Sequence, residues 1–225
     1  MNILYGAPLA GEMLGETRKL IKELHRIPVL SVICDNVKEP YIKGIMKDAD
    51  ICGVRVIRNV TDPQFVHGII SLDKHWVPDP EVDVDGGYST PCTAEAIVAI
   101  LKYWNVPIAG KKVCVIGRSN RVGRPLLDLL LNANATVTVC HSKTGEGDLY
   151  WHMSNCDILI SCVGEAGFIG EGTINQYTTV VDVGNDFINY GACNALVPFV
   201  GGVGPVTRAV LMRHVYLKAK EKEDQ

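Results

Sequence analysis

At 225 residues the chain is long enough to bury one large hydrophobic core or two small ones. With 47% hydrophobic and 21% charged residues it has the composition of a folded globular protein, not of a disordered one. A net charge of −3, no apolar run near the ~18 residues that span a bilayer and no signal-peptide pattern argue against nucleic-acid or membrane partners and for a cytoplasmic protein.

Met13, Leu20, Ile21 and Leu24 fall at helical spacing and predict an opening helix over residues 8–26. Residues 28–34 read as a buried strand ended by Asp35 and Asn36. Pro40 suits a first helical turn, and Tyr41, Ile45, Met46 and Ala49 carry that helix to a stop at Gly53. A weakly alternating strand follows over 54–58, then an ambiguous stretch, 62–71, with a strand around Ile69 and Ile70. Pro78, Pro80, Asp83, Asp85, Gly86, Gly87 and Pro91 crowd a loop-like segment, which marks the inter-domain connection.

Beyond it the alternation is regular. A helix over 94–104 precedes a strand ending at Gly117, a helix after Gly123, strands at 136–140, 157–163 and 178–183, a short helix at 148–154 and a last helix over 206–222. Near-continuous apolar strands separated by helices predict a doubly covered parallel sheet, hence an α/β fold with a Rossmann-type domain and a smaller α/β domain. Eight cysteines without a C-x-x-C pair, and six scattered histidines, give no metal-ligand spacing; reduced thiols are expected, and no metal.

The stretch Lys112-Val-Cys-Val-Ile-Gly-Arg-Ser-Asn-Arg-Val-Gly-Arg-Pro125 is a strand, a glycine turn and a helix start, an arrangement that lets backbone N–H groups meet a phosphate. Its spacing departs from G-x-G-x-x-G, since Ser119 takes the place of the second glycine and Gly123 comes one residue late. The next strand ends Cys140-His-Ser-Lys143, with no carboxylate to meet a ribose 2′-hydroxyl. Together with Arg118, these basic and hydroxyl side chains point to the 2′-phosphate of NADP, although His141 and Lys143 also fit an ordinary solvated loop. Asp182 fits either a backbone cap or a ligand contact. Glycine density in Val200-Gly-Gly-Val-Gly-Pro205 suggests backbone pressed against a ligand or a tight turn.

Four co-linear motifs carry a resemblance: Gly117-Arg-Ser-x-x-Val-Gly-x-Pro125, Cys140-His-Ser-Lys-Thr144, Val181-Asp-Val-Gly184 and Gly201-Gly-Val-Gly-Pro-Val-Thr207. With Asp83-Val-Asp-Gly86 and Pro91-Cys-Thr93, they resemble the bifunctional methylenetetrahydrofolate dehydrogenase/cyclohydrolase family over most of residues 80–217. The resemblance implies a folate-side domain over 1–92 completed by the C-terminal helix 206–225, and an NADP-binding domain over 93–205. It places Gly117, Arg118, Ser119, Ser142 and Gly164 on the cofactor and the backbone of Asn185 on the nicotinamide side. It assigns Gly204 and Pro205 to the folate side, Asp85 to the pterin ring and Tyr41 to stacking on the substrate. A homodimer is implied as well.

The first half departs from the family pattern. Four residues after the tyrosine the family has a lysine on the same helix face, and here that position is Ile45. Lys43 and Lys47 fall on other faces, the family's glutamine is missing near Leu72, and Lys43 or Lys74 can substitute only if the shortened backbone re-aims them. Hydride transfer is mainly a matter of positioning, whereas cyclohydrolase chemistry needs the proton work of that lysine. The expectation is therefore oxidation of 5,10-methylenetetrahydrofolate with NADP and little or no cyclohydrolase. The alternatives are an NADP-dependent oxidoreductase with another substrate and a non-catalytic nucleotide-binding relative.

Overall fold

A computed structural model describes residues 1–34, 39–72, 79–86, 90–170, 172–187, 189–191 and 193–225. Asp35, Asn36, Lys74, Pro78 and Gly87 from the sequence expectations lie outside the described residues. In chain order the elements are β1 (Asn2–Ile3), α1 (Ala7–Ile21), β2 (Val29–Ile33), α2 (Pro40–Cys52), β3 (Arg55–Arg58), β4 (Gly68–Ser71), α3 (Cys92–Tyr103) and β5 (Lys112–Ile116). They continue with α4 (Gly123–Asn132), β6 (Thr136–Cys140), α5 (Glu146–Ser154), β7 (Ile158–Ser161), β8 (Thr179–Asp182), β9 (Ala195–Val197) and α6 (Val203–Glu223). No described helix is long and apolar enough to cross a membrane.

The chain divides into two compact units, one of Met1–Ala7 with Thr93–Val206 and one of Pro8–Cys92 with Thr207–Gln225. In the first, six strands form a parallel sheet in the order β1-β9-β8-β7-β5-β6. Central strands are buried on both faces, as a sheet covered on both sides requires: all four residues of β7 and of β8 are buried. Residues 1–7, expected with the folate-side domain, instead join this sheet, where Asn2 and Ile3 pair with Ala195 and Leu196. Strands of two and three residues are too short to show a period, so neither β1 nor β9 is visible in the sequence pattern.

The second unit holds a three-stranded parallel sheet, β3-β2-β4. Pro40 sits in the first turn of α2, where its missing N–H costs nothing, and Gly53 ends the helix in the left-handed region at φ 82°, its N–H donating to the Ala49 and Asp50 carbonyls. Ile42, Ile45, Ala49 and Cys52 form the apolar stripe that α2 buries, with Asp48 on the same stripe. Helix α6 supplies Val210, Leu211, Val215 and Ala219 to the core of this unit.

Within it the half-buried imidazole of His67 accepts a hydrogen bond at Nδ1 from the Val29 N–H at 2.9 Å. Nearby Lys222 donates to the carbonyls of Pro63 and Val66. Burial, and then the Lys222 charge, hold the His67 pKa below the usual 6.5. The unfolded chain therefore binds a proton first as pH falls, and the contribution of neutral His67 to stability is lost from pH 6.5 downwards through its folded value. Urea unfolding at pH 7.5 and 5.5 should show lower stability at the acid pH, with a shallower dependence in His67→Gln.

Candidate functional site

Parallel sheets bind ligands at the carboxyl ends of the strands where the connections change direction. Here the chain leaves β5 through α4 to β6 on one side, then crosses through α5 to β7 on the other, so the crevice opens at the ends of β5 and β7. A cavity of about 540 Å³ lies there, lined among others by Gly117, Arg118, Ser119, His141, Ser142 and Cys162. A larger hollow of about 680 Å³, around His25, Arg26, His67 and Lys222, sits at the opposite, amino ends of β2 and β4 in the other unit.

Gly117 stands at φ 110°, and a Cβ on it would meet the Cys162 carbonyl at 2.8 Å. Gly123, the first residue of α4, lies so close to the Gly117 carbonyl that no side chain fits. Each glycine is thus demanded by backbone packed on backbone, which brings the helix start down onto the strand end. Ser119 closes the turn, its Oγ accepting from the Val122 N–H at 3.2 Å and its carbonyl from the Arg124 N–H at 3.0 Å. Arg118 and Ser119 themselves stay exposed at the cavity wall.

After β6 the chain makes a closed turn. The His141 N–H donates to Thr144 Oγ1 at 2.9 Å, the Thr144 N–H to the His141 carbonyl at 2.8 Å, and the Lys143 N–H to His141 Nδ1 at 3.1 Å. Accepting at Nδ1 makes His141 a turn-forming residue, and Ser142 is left exposed at the tip, on the cavity. The strand end carries no carboxylate, but the wall is not purely basic. Glu146, from the first turn of α5, and Glu165 both line it. Burial pushes the Cys162 thiol up to about 12, so it faces the cavity as a neutral, unreactive group.

The residue that organises the β7 edge is Asp186, which sequence reasoning passed over. Fully buried, its Oδ2 accepts from Ser161 Oγ at 2.6 Å and the Val163 N–H at 2.9 Å, and its Oδ1 from the N–H groups of Gly164 and Glu165 at 2.8 and 2.9 Å. Gly184 leaves the space for this carboxylate, since a Cβ there would collide with both its oxygens and with the Gly164 nitrogen. Asp182 resolves into the backbone cap: Oδ1 accepts from the Asp186 N–H at 3.0 Å and Oδ2 from Tyr190 Oη at 3.1 Å. Burial raises the Asp182 pKa above its ordinary range, opposed by those same bonds.

Of the expected cofactor residues, Gly117, Arg118, Ser119 and Ser142 therefore share one cavity, and Gly164 stands in the pinned loop between two lining residues, Val163 and Glu165, at φ 80°. Asn185 is exposed in the left-handed region, φ 64°, beside Gly184, and does not line that cavity. Gly204 and Pro205 are half-buried in the first turn of α6. In the other unit Tyr41 is the half-buried second residue of α2. Asp85 follows a segment bridged to β4 through Ile69 and Asp83, and its N–H donates to Asp83 Oδ1 at 3.0 Å. Ile45 is completely buried, while Lys43 and Lys47 are exposed on other faces of α2.

The profile of the family described as tetrahydrofolate dehydrogenase/cyclohydrolase, NAD(P)-binding domain, matches residues 91–223. The bifunctional protein FolD of Methanoculleus marisnigri is 40% identical over 211 residues, covering 85% of this chain and 71% of that protein. FolD of Clostridium kluyveri is 36% identical over 283 aligned positions that cover 98% of each. Because this chain has only 225 residues, several tens of positions in that relative have no counterpart here. Among solved structures, the 5,10-methylenetetrahydrofolate dehydrogenase of the silkworm Bombyx mori superposes with a TM-score of 0.84 at 26% identity, covering 100% of this chain and 99% of the other. The Trypanosoma brucei methylenetetrahydrofolate dehydrogenase-cyclohydrolase, complexed with NADP and an inhibitor, gives 0.85 at 25% identity, covering 99% and 98%. The profile match spans more than half the chain and the Clostridium relative is aligned almost end to end: the chain belongs to the tetrahydrofolate dehydrogenase/cyclohydrolase family.

Proposed function

We propose that this protein oxidises 5,10-methylenetetrahydrofolate to 5,10-methenyltetrahydrofolate with NADP and has lost the cyclohydrolase step. The observation that carries the first half is the tight turn from Gly117, which lines the 540 Å³ cavity, to Gly123 at the start of α4, in a chain matching the family's NAD(P)-binding profile. Its residues fit a dinucleotide, because the close backbone packing at these two glycines brings the start of α4 down onto the end of β5, where N–H groups meet a phosphate. When bound, NADP supplies the acceptor for the hydride that leaves the methylene carbon with its electron pair. Arg118, Ser119 and Ser142 hold the phosphate end, and the loop carrying Gly164 is fixed beneath the cofactor by Asp186. Thr93–Val206 acts as the NADP-binding unit, and Pro8–Cys92 with the rest of α6 as the folate side, where Asp85 binds the pterin and Tyr41 packs against the substrate.

The second half rests on Ile45, a buried hydrocarbon where proton transfer needs an amine, with Lys43 and Lys47 turned elsewhere. A homodimer belongs to the same proposal. Among the described residues β6 ends the six-stranded sheet, and Tyr150 and Trp151 on the following helix, 53% and 59% exposed, offer apolar surface to a second copy there. The test follows reduced-nicotinamide absorbance with methylenetetrahydrofolate and NADP or NAD, then the fate of the methenyl product. Reduction of NADP with methenyltetrahydrofolate accumulating is expected. No reduction with either cofactor overturns the oxidation, and enzyme-dependent hydrolysis of the product overturns the loss.

A further inference from the structure

The face of α2 that bears Tyr41 continues through Gly44 and Ile45, one turn along, to Asp48, two turns along. Across it, from α6 and 160 residues later in sequence, comes Arg208, whose Nε donates to Asp48 Oδ2 at 2.7 Å. The Asp48 side chain is only 7% exposed, whereas that of Arg208 keeps 20% of its surface in the open. Gly44 explains how the guanidinium gets there: a Cβ at position 44 would lie 2.6 Å from Arg208 Nε and 2.7 Å from Cζ. Glycine inside a helix is unfavourable, and its left-handed freedom is not used here, so the space it leaves is its function.

Among the described residues the Asp48 bond engages Nε alone, and the two terminal nitrogens belong to a side chain that keeps 20% of its surface exposed. We propose that Arg208 is a substrate-binding residue: a fixed cation one turn from Tyr41 whose terminal nitrogens hold an oxygen acceptor of the folate. This assignment rests on the folate reading given above. It also sharpens the loss of cyclohydrolase, because a guanidinium keeps its proton throughout the working pH range and binds where an amine would act as a base. Asp48 neutralises most of its charge, so the pair does not oppose the cationic product.

Two variants separate binding from folding. Gly44→Ala leaves both charges in place, improves helix propensity and displaces only the guanidinium. Arg208→Met with Asp48→Leu removes the pair together, so no buried charge is stranded. In each, KM for methylenetetrahydrofolate should rise by about tenfold or more with KM for NADP near wild type, and the double variant, which strands no charge, should also keep the wild-type melting temperature. Titration with 5-formyltetrahydrofolate, followed by calorimetry, gives the same comparison without turnover. If wild type binds this folate and both variants bind it equally well, the assignment of Arg208 is overturned while the folate reading stands. If wild type binds no folate, the reading itself falls, and the assignment with it.

Discussion

Asp186→Ala should destabilise the protein by about 3–5 kcal/mol, because it strips the acceptor from four buried or half-buried donors at once. Three of those donors are consecutive backbone N–H groups that no rotamer change can redirect, and Gly184 offers no side chain to replace the carboxylate. Against a total of roughly 5–15 kcal/mol, this loss approaches unfolding, so Asp186→Asn is the more informative change. An amide keeps one acceptor oxygen and turns the other into a donor facing an N–H. If Nδ2 replaces Oδ2, the Ser161 hydroxyl rotates to suit but the Val163 N–H cannot. The folded Asn variant should show KM for NADP raised by about tenfold with KM for the folate unchanged, since only the loop under the cofactor has moved. Equal losses for both substrates, or none, would show that the Asp186 network holds the fold and not the cofactor.

How much of this was legible in the sequence depends on the distance over which each interaction acts. Helix α2 was readable because its signals are local: proline in the first turn, an apolar stripe, and a glycine stop that takes the left-handed conformation. Strand β5 and its turn were readable for the same reason, apolar residues running into Gly117. Asp186 was not, because its meaning depends on three N–H groups 21 to 23 residues earlier that only the fold brings to it. Glu146 was missed because a helix start, and not the strand end, delivers it to the cavity. The Arg208–Asp48 pair joins the two ends of one unit and leaves a single local trace, an otherwise unfavourable glycine at position 44.

Restoring the family's lysine by Ile45→Lys should fail to restore cyclohydrolase and should cost about 3–5 kcal/mol, the usual penalty for a buried charge without a partner. Position 45 has no exposed surface, so the ammonium must either desolvate or push the helix outwards. The one carboxylate within a turn on that face is Asp48, and Arg208 already holds it at 2.7 Å. The lysine would therefore compete for a single acid in a site built for a guanidinium. Urea midpoints with an unchanged slope would measure the loss, and a stable variant that hydrolyses methenyltetrahydrofolate would show instead that one substitution separates the two activities. Adding Arg208→Met to Ile45→Lys frees Asp48 for the new ammonium. The two changes should then couple favourably, by about 1–3 kcal/mol in a double-mutant cycle, because the second supplies the partner that the first lacks.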